Sequence, residues 1–431
     1  MLKNTLLSLI FLFSFFACSD NNSGADQSDL TAFADSLFTV HVDSAKIAGA
    51  SVIVYKDGEM LLNKAYGYAS LELSVPMPEN ASFEIGSVTK QFTASAILRL
   101  MDAGKLSLDD DFTKYLDFDT KGRTVTIDHL LNHTSGIASY TEIQEFGSLM
   151  VHKYDRDSLV RIIEEQPFLF EPGEALIYNN SAYYFLGLII EKITGKAYEE
   201  YLSEQFFMPL GMNNTYYCST TTVTKQKAYG YDYRSNGLQQ KQYIDHTWPY
   251  AGGSLCSTAE DLLIWLKALH EGDLLSKKLY SSLITPETLN DGTPVRYAKA
   301  LVNYNNFGNQ HIGHGGGIPG FLSETRYFPE VGLYIICLVN TAGPSGGSFF
   351  ANELTWQLLD KKEVETQDLD IDLSSLAGKY SGQARGRMIS IKVNSTSETL
   401  SIEFNGSDNP VSLTDYLGEN TWSVDNDIIK L

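Results

Sequence analysis

Ser87 and Lys90 form the sequence Ser-x-x-Lys in a segment whose apolar spacing predicts a helix over residues 87–103, ended by Gly104. A separation of three places both side chains on one face of a helix, within contact range of each other. A serine hydroxyl becomes a good nucleophile when such a neighbour activates it. The pair is therefore a candidate for an activated serine nucleophile, although the four-residue pattern alone is too common to identify one.

Two other motifs lack the setting that their chemistry needs. GPSGG at residues 343–347 matches the nucleophile elbow of α/β-hydrolases, in which the histidine follows the serine along the chain. Here the last histidine, His314, precedes Ser345, so we expect a glycine-rich turn.

GGGIPG at residues 315–320 fits a dinucleotide-binding pattern, but Pro319 and the strand-like residues after it exclude the required helix N-terminus. No cofactor is expected.

His129 and His133 stand four residues apart on a predicted helix, as zinc ligands can. The glutamate of the zinc-binding His-Glu-x-x-His motif is missing, and no cysteine cluster accompanies the pair. We therefore assign packing and capping roles to both histidines and predict no metal site.

Two predicted β-hairpins and the helical region between them must position Ser87, Lys90 and the groups around them. Residues 50–70 give two β-rich runs joined at Asp57 and Gly58, which tolerate the positive φ of a tight turn. A second hairpin pattern covers residues 321–340, and helical patterns dominate from about residue 110 to residue 310. The predicted fold class is α+β: an antiparallel sheet built from N- and C-terminal segments, flanked by helices, with an inserted mainly helical region.

The C-terminal part has a different pattern. A charged, turn-free stretch over residues 361–370 is predicted to be a linker. Beyond it, apolar and polar residues alternate with period two, so residues 371–431 are predicted to form a small all-β domain.

Composition and charge limit the possible functions. The 431 residues suffice for two or three domains of about 150 residues. With 43% hydrophobic and 20% charged residues, the chain is neither largely disordered nor a coiled-coil rod. A formal charge of -21 repels nucleic acid and anionic substrates, so no nucleic-acid partner is expected.

The N-terminus has the pattern of a targeting segment. Residues 5–16 are mostly apolar, too short to span a bilayer, and Ala17 precedes Cys18. This resembles a bacterial lipoprotein signal over residues 1–18, in which Cys18 is acylated; an ordinary secretory signal is the alternative. A flexible tether is expected over residues 19–29. We expect a lipid-anchored protein of the bacterial cell envelope, on its periplasmic or outer-membrane face.

The remaining cysteines, Cys218, Cys256 and Cys337, are too few and too scattered for a disulfide framework. Cys337 lies within the apolar run LYIICLV and is expected in the core.

Six segments in order along the chain resemble the serine beta-lactamase-like family: FEIGSVTKQFTASAILRLMDAGKLSLDD, HLLNHTSGI, FEPGEALIYNNSAYYFLGLIIEKITGKAYEEYL, MPLGMNNT, YAGGSLCSTAEDLLIWL and GHGGGIPGFLSETRYFP. That family includes class C beta-lactamases, penicillin-binding DD-peptidases, D-aminopeptidases and related esterases. The resemblance covers residues 30–360 and implies a serine hydrolase that forms an acyl-enzyme on an ester, amide or peptide.

The resemblance also implies roles for individual residues. The family's Tyr-x-Asn element corresponds to Tyr178 and Asn180, because Tyr178 directly precedes the long apolar helix. Residues 304–306 match the element as well but lack that setting. Tyr178 would be catalytic, and Asn180 would position Lys90 and the substrate carbonyl.

The family's third element, usually Lys-Thr-Gly, corresponds to His314, Gly315 and Gly316 on a strand lining the cleft. Residues 270–272 and 311–313 also fit His-x-Gly, so this assignment depends on the glycine-rich run that follows. By resemblance, the backbone N–H groups of Gly317 and of the serine would form the oxyanion hole, worth roughly 3 to 4 kcal/mol per donor.

Either Tyr178 or Lys90 can accept the serine proton. A tyrosine pKa starts near ~10 and must fall by about three units, roughly 4 kcal/mol, for the phenol to ionise at neutral pH. One ammonium at ~4 Å supplies about that much at an effective dielectric of ~20. Lys90 beside Tyr178 can therefore activate Ser87, and a neutral Lys90 acting as the base is the alternative.

His314 in place of lysine affects the expected substrate. An imidazole of pKa ~6.5 is only about one quarter charged at pH 7, so an anchor for a substrate carboxylate is weakened. We expect esters, amides or peptides with a neutral or cationic recognition end, and slow beta-lactamase activity at most. The alternative is a catalytically silent envelope-binding protein, which the intact Ser87, Lys90, Tyr178 and Asn180 disfavour.

Overall fold

The computed structural model describes residues 23–430 except positions 220, 273, 307, 360–365, 370, 385–386, 397–398, 405–409, 414, 419–420 and 425–426. The signal peptide predicted over residues 1–18, with Cys18, lies outside the described residues. Within the described part, no helix is both long and apolar enough to span a membrane.

The helices lie mainly between the two hairpins. Their bounds are α1 (Ser23–Asp43), α2 (Thr89–Asp102), α3 (Ile127–Leu131), α4 (Phe146–Leu149), α5 (Arg156–Glu164), α6 (Asn180–Thr194), α7 (Tyr198–Leu202), α8 (Met208–Leu210), α9 (Tyr250–Gly253), α10 (Ala259–His270), α11 (Lys277–Ile284) and α12 (Gly347–Leu358). Helices α2 to α11 separate the hairpins along the chain, as the helical patterns predict.

The strands of this region fall into one large sheet and several short pairings. Their bounds are β1 (Gly49–Lys56), β2 (Glu59–Ser70), β3 (Val75–Pro76), β4 (Phe83–Glu84), β5 (Tyr216–Tyr217), β6 (Tyr231–Arg234), β7 (Gly237–Gln240), β8 (Leu255–Ser257), β9 (Val302–Asn306), β10 (Asn309–Ile318), β11 (Phe321–Phe328), β12 (Leu333–Val339) and β13 (Thr341–Ala342). The large sheet has the order β3-β2-β1-β12-β11-β10-β9.

Both predicted hairpins join this sheet. Asp57 and Gly58 have φ values of 48° and 91°, as a tight turn between β1 and β2 requires. Strand β1 pairs antiparallel with β12, so that Val52 lies opposite Cys337. Every residue of β12 is buried, since α10 packs on one of its faces and α12 on the other. The predicted α+β sheet with a helical insertion is therefore confirmed.

The N-terminal helix corrects one expectation. Helix α1 begins at Ser23, so most of the flexible tether predicted over residues 19–29 is helical. The helix is held against the sheet by Phe38, whose ring lies 4.6 Å from the Tyr66 ring and 4.3 Å from the Phe350 ring. Because this packing stabilises the whole helix, the polar composition of its first residues does not decide their structure.

A disulfide joins Cys218 and Cys256, whose Cα atoms are 5.3 Å apart. The sequence analysis excluded a disulfide framework and left the redox state of these cysteines open, and the structure shows one disulfide. Strand β8, which contains Cys256, lies between β4 and β5, and Cys218 directly follows β5. The third cysteine, Cys337, is buried in the core as predicted.

The C-terminal part forms two small antiparallel sheets. The first contains β14 (Gly378–Ala384), β15 (Arg387–Ser395), β16 (Leu400–Phe404) and β17 (Val411–Leu413), and the second contains β18 (Asp415–Gly418), β19 (Thr421–Val424) and β20 (Asp427–Lys430). The predicted small β structure is confirmed. The linker over residues 361–370 is described only at 366–369, and its role stays a prediction.

Candidate active site

Ser87 lies in a 3₁₀ turn, Gly86–Val88, that leads directly into α2. The turn starts at Gly86, whose φ of 51° is in the left-handed region. A Cβ atom on Gly86 would lie 2.8 Å from the backbone nitrogen of Gly317. Glycine at position 86 therefore lets strand β10 approach the turn, and Ser87 is held half-buried beside it.

Lys90 is fully buried on the first turn of α2. Its Nζ atom donates to Ser87 Oγ at 3.2 Å, to Asn180 Oδ1 at 2.8 Å and to the Gly252 carbonyl at 2.7 Å. Three oxygens match the three N–H donors of an ammonium group. The same Nζ atom lies 4.8 Å from the ring centroid of Tyr178. The amine thus contacts each of the three catalytic partners that the sequence predicts for it.

Tyr178 is half-buried directly before α6. Its ring centroid lies 4.3 Å from that of His133, 6.1 Å from Tyr297 and 6.0 Å from His314. These rings restrict the orientation of the phenol next to the Lys90 amine. The structure therefore brings the hydroxyl, the amine and the phenol of the predicted site together.

Asn180 begins α6 and connects the lysine to the wall of the site. Its Oδ1 accepts from Lys90, while its Nδ2 donates to Thr141 Oγ1 at 3.3 Å. The preceding residue, Asn179, caps α6 with its side chain and donates its backbone N–H to His133 Nδ1 at 3.1 Å. His133 thus fixes the backbone between Tyr178 and Asn180, which agrees with the packing and capping roles assigned from the sequence.

The other predicted histidine role is also present. His129 and Thr126 form a capping box at the start of α3, with hydrogen bonds of 3.2 Å and 3.1 Å. Among the described residues, no group of three or more His, Cys, Asp and Glu residues could hold a metal ion.

Helix α9 supplies the carbonyl that holds the lysine. It packs between α2 and α6. Thr93 Oγ1 of α2 donates to the Ala251 carbonyl at 2.7 Å, and a Cβ on Gly187 of α6 would lie 2.5 Å from Ala251 Cβ. The sequence analysis missed the Gly252 carbonyl, because a backbone acceptor has no side-chain signature. The Gly-Gly pair in YAGGSLCSTAEDLLIWL was the available signal.

His314 on β10 is engaged within the protein through both ring nitrogens. Nε2 lies 3.0 Å from Tyr297 Oη, and Nδ1 contacts the Gly315 carbonyl. These partners assign the proton to Nδ1, so Nε2 accepts from the tyrosine. Burial, together with the charge of Lys90, lowers the pKa of His314 to about 4, and the ring is neutral at pH 7. The predicted contact with substrate stays a prediction, and through a ring nitrogen it would require one of these bonds to break.

The glycines after His314 allow β10 to pack against the serine turn. A Cβ on Gly316 would lie 2.0 Å from the Ile85 carbonyl oxygen, which also accepts from Ser323 Oγ at 2.8 Å. The next residue, Gly317, is the one that lies beside Gly86. The predicted oxyanion donors, Ser87 and Gly317, are therefore on adjoining segments.

The alternative matches to the Tyr-x-Asn and His-x-Gly elements have other neighbours than the serine turn. The His270 ring stacks on Tyr327 at 4.5 Å, and the His311 ring stacks on Phe328 at 5.4 Å. Residues 304–306 belong to the edge strand β9. The assignment of the third element to residues 314–316 agrees with the contact between β10 and the serine turn.

Comparison with known proteins matches residues 34–360 to the model of a family described as Beta-lactamase. Penicillin-binding protein 4* of Bacillus subtilis (strain 168) is 32% identical over 288 residues, which cover 63% of this chain and 63% of that protein. The chain spans less than two thirds of the length of the curated relatives that it matches.

Two solved structures are also similar. The octameric penicillin-binding protein homologue from Pyrococcus abyssi has 28% sequence identity and a TM-score of 0.67, over 91% of this chain and 93% of that chain. The D-stereospecific amidohydrolase from Streptomyces sp. has 25% identity and a TM-score of 0.64, over 73% of this chain and 96% of that chain.

Proposed function

The chain belongs to the beta-lactamase family, and on this premise we propose that it is a serine hydrolase that cleaves an amide, ester or peptide through an acyl-enzyme. One observation carries the proposal. A buried lysine amine lies 3.2 Å from the Ser87 hydroxyl, next to the ring of Tyr178. This arrangement of a hydroxyl with activating neighbours makes a serine nucleophilic.

In the proposed reaction, Ser87 Oγ attacks the substrate carbonyl and its proton passes to Tyr178. The positive charge of Lys90 favours the phenolate form of a neighbouring tyrosine, which makes the phenol a base near neutral pH. Tyr178 returns the proton to the leaving amine or alcohol as the bond to the carbonyl carbon breaks. A water molecule then attacks the acyl-enzyme and gives its proton to Tyr178, which passes it to Ser87 Oγ as the bond from Oγ to the acyl carbon breaks and the acid is released. The backbone N–H groups of Ser87 and Gly317 stabilise each oxyanion.

The neutral His314 supports a substrate without a carboxylate at this position. A lysine there would be a permanent cation, whereas the buried imidazole, with a pKa of about 4, has no charge to offer at pH 7. The similar Streptomyces protein is named as an amidohydrolase, which supports an amide as one substrate class. We propose amides, esters or short peptides whose recognition end is neutral or cationic.

Labelling with a fluorophosphonate probe and hydrolysis of a neutral p-nitrophenyl ester test the nucleophile. Ser87→Ala should abolish both, because these reactions require the Ser87 hydroxyl. Ser345→Ala, at the glycine-rich turn that mimics a nucleophile elbow, is the matched control and should retain both. Labelling of Ser87→Ala at another residue would refute the assignment, and an unlabelled, inactive parent protein would favour the silent binding module.

We also propose that Cys18 is acylated and anchors the protein to the bacterial cell envelope. The support is the apolar segment ending at Ala17, together with the polar residues after the cysteine. Metabolic labelling with an alkyne palmitate should mark the parent protein and spare Cys18→Ser. Cys337→Ser is the control, and equal labelling of Cys18→Ser would overturn the anchor.

A further inference from the structure

The described residues line an open cavity of about 1350 Å³ that is separate from the catalytic groups. It is lined by the start of α5 and the residues before it, by α7, by β5 with its flanking residues, and by the segment before α9. Ser87, Lys90, Tyr178 and Asn180 do not line it. Its volume is ample for a small molecule.

A guanidinium group on the wall of this cavity has no anionic partner among the residues that the structure describes. Arg156 forms no ion pair with any carboxylate of the described residues, and its buried Nη1 atom has no hydrogen-bond partner. The group instead stacks on Tyr250, with its central carbon 3.4 Å from the ring centroid. Arginine stays charged at any physiological pH, and a half-buried cation of this kind is stabilised by an anion.

The rest of the wall determines which anion fits. Besides Arg156, the wall has two basic and five acidic side chains: Lys153, Lys196, Asp155, Glu199, Glu200, Glu204 and Asp245. The excess of acidic groups would repel a doubly charged phosphate. The same carboxylates favour a positive group on a ligand whose single carboxylate lies at Arg156. Tyr217 adds an aromatic side chain to the wall.

We propose that this cavity is a binding site for a small zwitterion of the amino-acid type. The ligand carboxylate pairs with Arg156, and the ligand ammonium faces the acidic wall. Bidentate pairing with a carboxylate is the interaction for which the planar guanidinium is best suited.

Helix α9 connects the site to the catalytic lysine. The Tyr250 ring at its start stacks on Arg156, and the Gly252 carbonyl near its end accepts from Lys90. The non-glycine Tyr250 has a φ of 40°, so its backbone is held in an uncommon conformation. A ligand that draws Arg156 away from Tyr250 therefore shifts α9 and alters the hydrogen bond from Lys90 to the Gly252 carbonyl. Occupancy of the cavity consequently changes the rate of hydrolysis.

Calorimetric titration of Ser87→Ala with phenylalanine tests binding without turnover, so the result does not depend on the proposed hydrolase activity. Phenylalanine should bind, and phenethylamine, which lacks the carboxylate, should bind roughly tenfold more weakly or worse. Adding Arg156→Met should weaken phenylalanine binding by a similar factor. The matched control is Arg161→Met on the same helix, because Arg161 pairs with Asp117 and Glu164 outside the cavity. Equal phenylalanine affinity with and without Arg156 would overturn the proposal.

Because Arg156 packs on Tyr250, its replacement can disturb folding, and a second measurement uses the Ser87→Ala protein without further change. Irradiation with p-benzoylphenylalanine should cross-link to peptides containing residues that line the cavity, namely 153–156, 215–219, 221–222, 243 and 245–247. Cross-links confined to peptides around residues 87, 178 and 314 would place the amino acid in the catalytic cleft and overturn the proposal.

The coupling is measured with the parent enzyme and a neutral p-nitrophenyl ester. Saturating phenylalanine should change kcat at least about twofold in the parent and in Arg161→Met, and should have no effect in Arg156→Met. A kcat that is unchanged in the parent under saturation would refute the connection through α9.

Discussion

At the scale of single residues, the neutral state of His314 has a consequence for Lys90. The imidazole lies in the strand that contacts the serine turn, and Lys90 helps to keep it uncharged. A second cation at this position would raise the cost of protonating Lys90 through like-charge repulsion. Tyr297 donates to Nε2, which leaves the ring proton on Nδ1 of the neutral imidazole. Histidine at the position of the family's lysine is thus expected to affect the charge state of Lys90 as well as the choice of substrate.

The buried histidine predicts a loss of stability in acid. Its pKa is about 4 in the folded protein, against ~6.5 in the unfolded chain, so the unfolded state binds more protons between these values. The free energy of unfolding therefore decreases as the pH falls from ~6.5 to ~4, by about 3 kcal/mol from this group. Urea unfolding of His314→Gln should show an acid loss smaller by that amount. The exposed His152→Gln is the control, and identical pH profiles for His314→Gln and the parent would contradict the shift.

At the scale of elements, the site depends on the contact between β10 and the turn before α2. This contact requires glycine at position 316, because a Cβ there would lie 2.0 Å from the Ile85 carbonyl oxygen. It also places the Gly317 backbone nitrogen beside Gly86. The turn before α2 and strand β10, which are more than two hundred residues apart in the sequence, therefore define the cleft together.

Gly316→Ala should push β10 away from Ser87. A displacement of about 1 Å can cost about a hundredfold in rate, so kcat/KM for a neutral p-nitrophenyl ester should fall by roughly 10- to 100-fold. Gly147→Ala is the control, because the Cβ would meet nothing within 4 Å. Far-UV circular dichroism verifies folding, and a folded Gly316→Ala with parental kcat/KM would show that this contact does not position the nucleophile.

The disulfide links two strands next to the nucleophile. Cys256 on β8 pairs with Glu84 on β4, three residues before Ser87, and the disulfide attaches this strand to the residue after β5. With a separation of 38 residues, the cross-link should add about 3 to 4 kcal/mol of stability. The Tm of Cys218→Ser/Cys256→Ser should be several degrees lower and insensitive to dithiothreitol. Cys337→Ser should retain the thiol-dependent Tm, and a parent Tm unaffected by reduction would contradict the prediction.

Local sequence patterns were sufficient to predict some elements of the fold and of the site. The hairpin at Asp57 and Gly58, helix α2 and the contact of Ser87 with Lys90 depend on residues close in sequence, and they were predicted. The Gly252 carbonyl and the disulfide depend on the packing of α9 and β8 against distant segments, which periodicity does not encode. Helix α1 extends into the expected tether for the same reason.

At the scale of the whole molecule, the formal charge of -21 acts on every charged ligand that approaches the cleft. Lys90 is buried and hydrogen-bonded to three oxygens, and His314 is neutral, so neither side chain offers an exposed cation at the cleft to offset this field. The repulsion falls off over the Debye length, about 30 Å at 0.01 M salt and about 8 Å at 0.15 M. We therefore expect selection against anionic substrates to arise from the whole surface as well as from position 314.

Salt should consequently favour anionic substrates selectively. We expect kcat/KM for the anionic p-nitrophenyl hemisuccinate to rise about three- to tenfold between 0.01 and 0.15 M sodium chloride, because screening removes repulsion during approach. The neutral p-nitrophenyl butyrate, of similar length, should change little. Since Ser87 and its neighbours are the same for both esters, the ratio of the two kcat/KM values isolates the long-range field. A ratio independent of salt would mean that discrimination arises within the cleft alone, from groups in contact with the substrate.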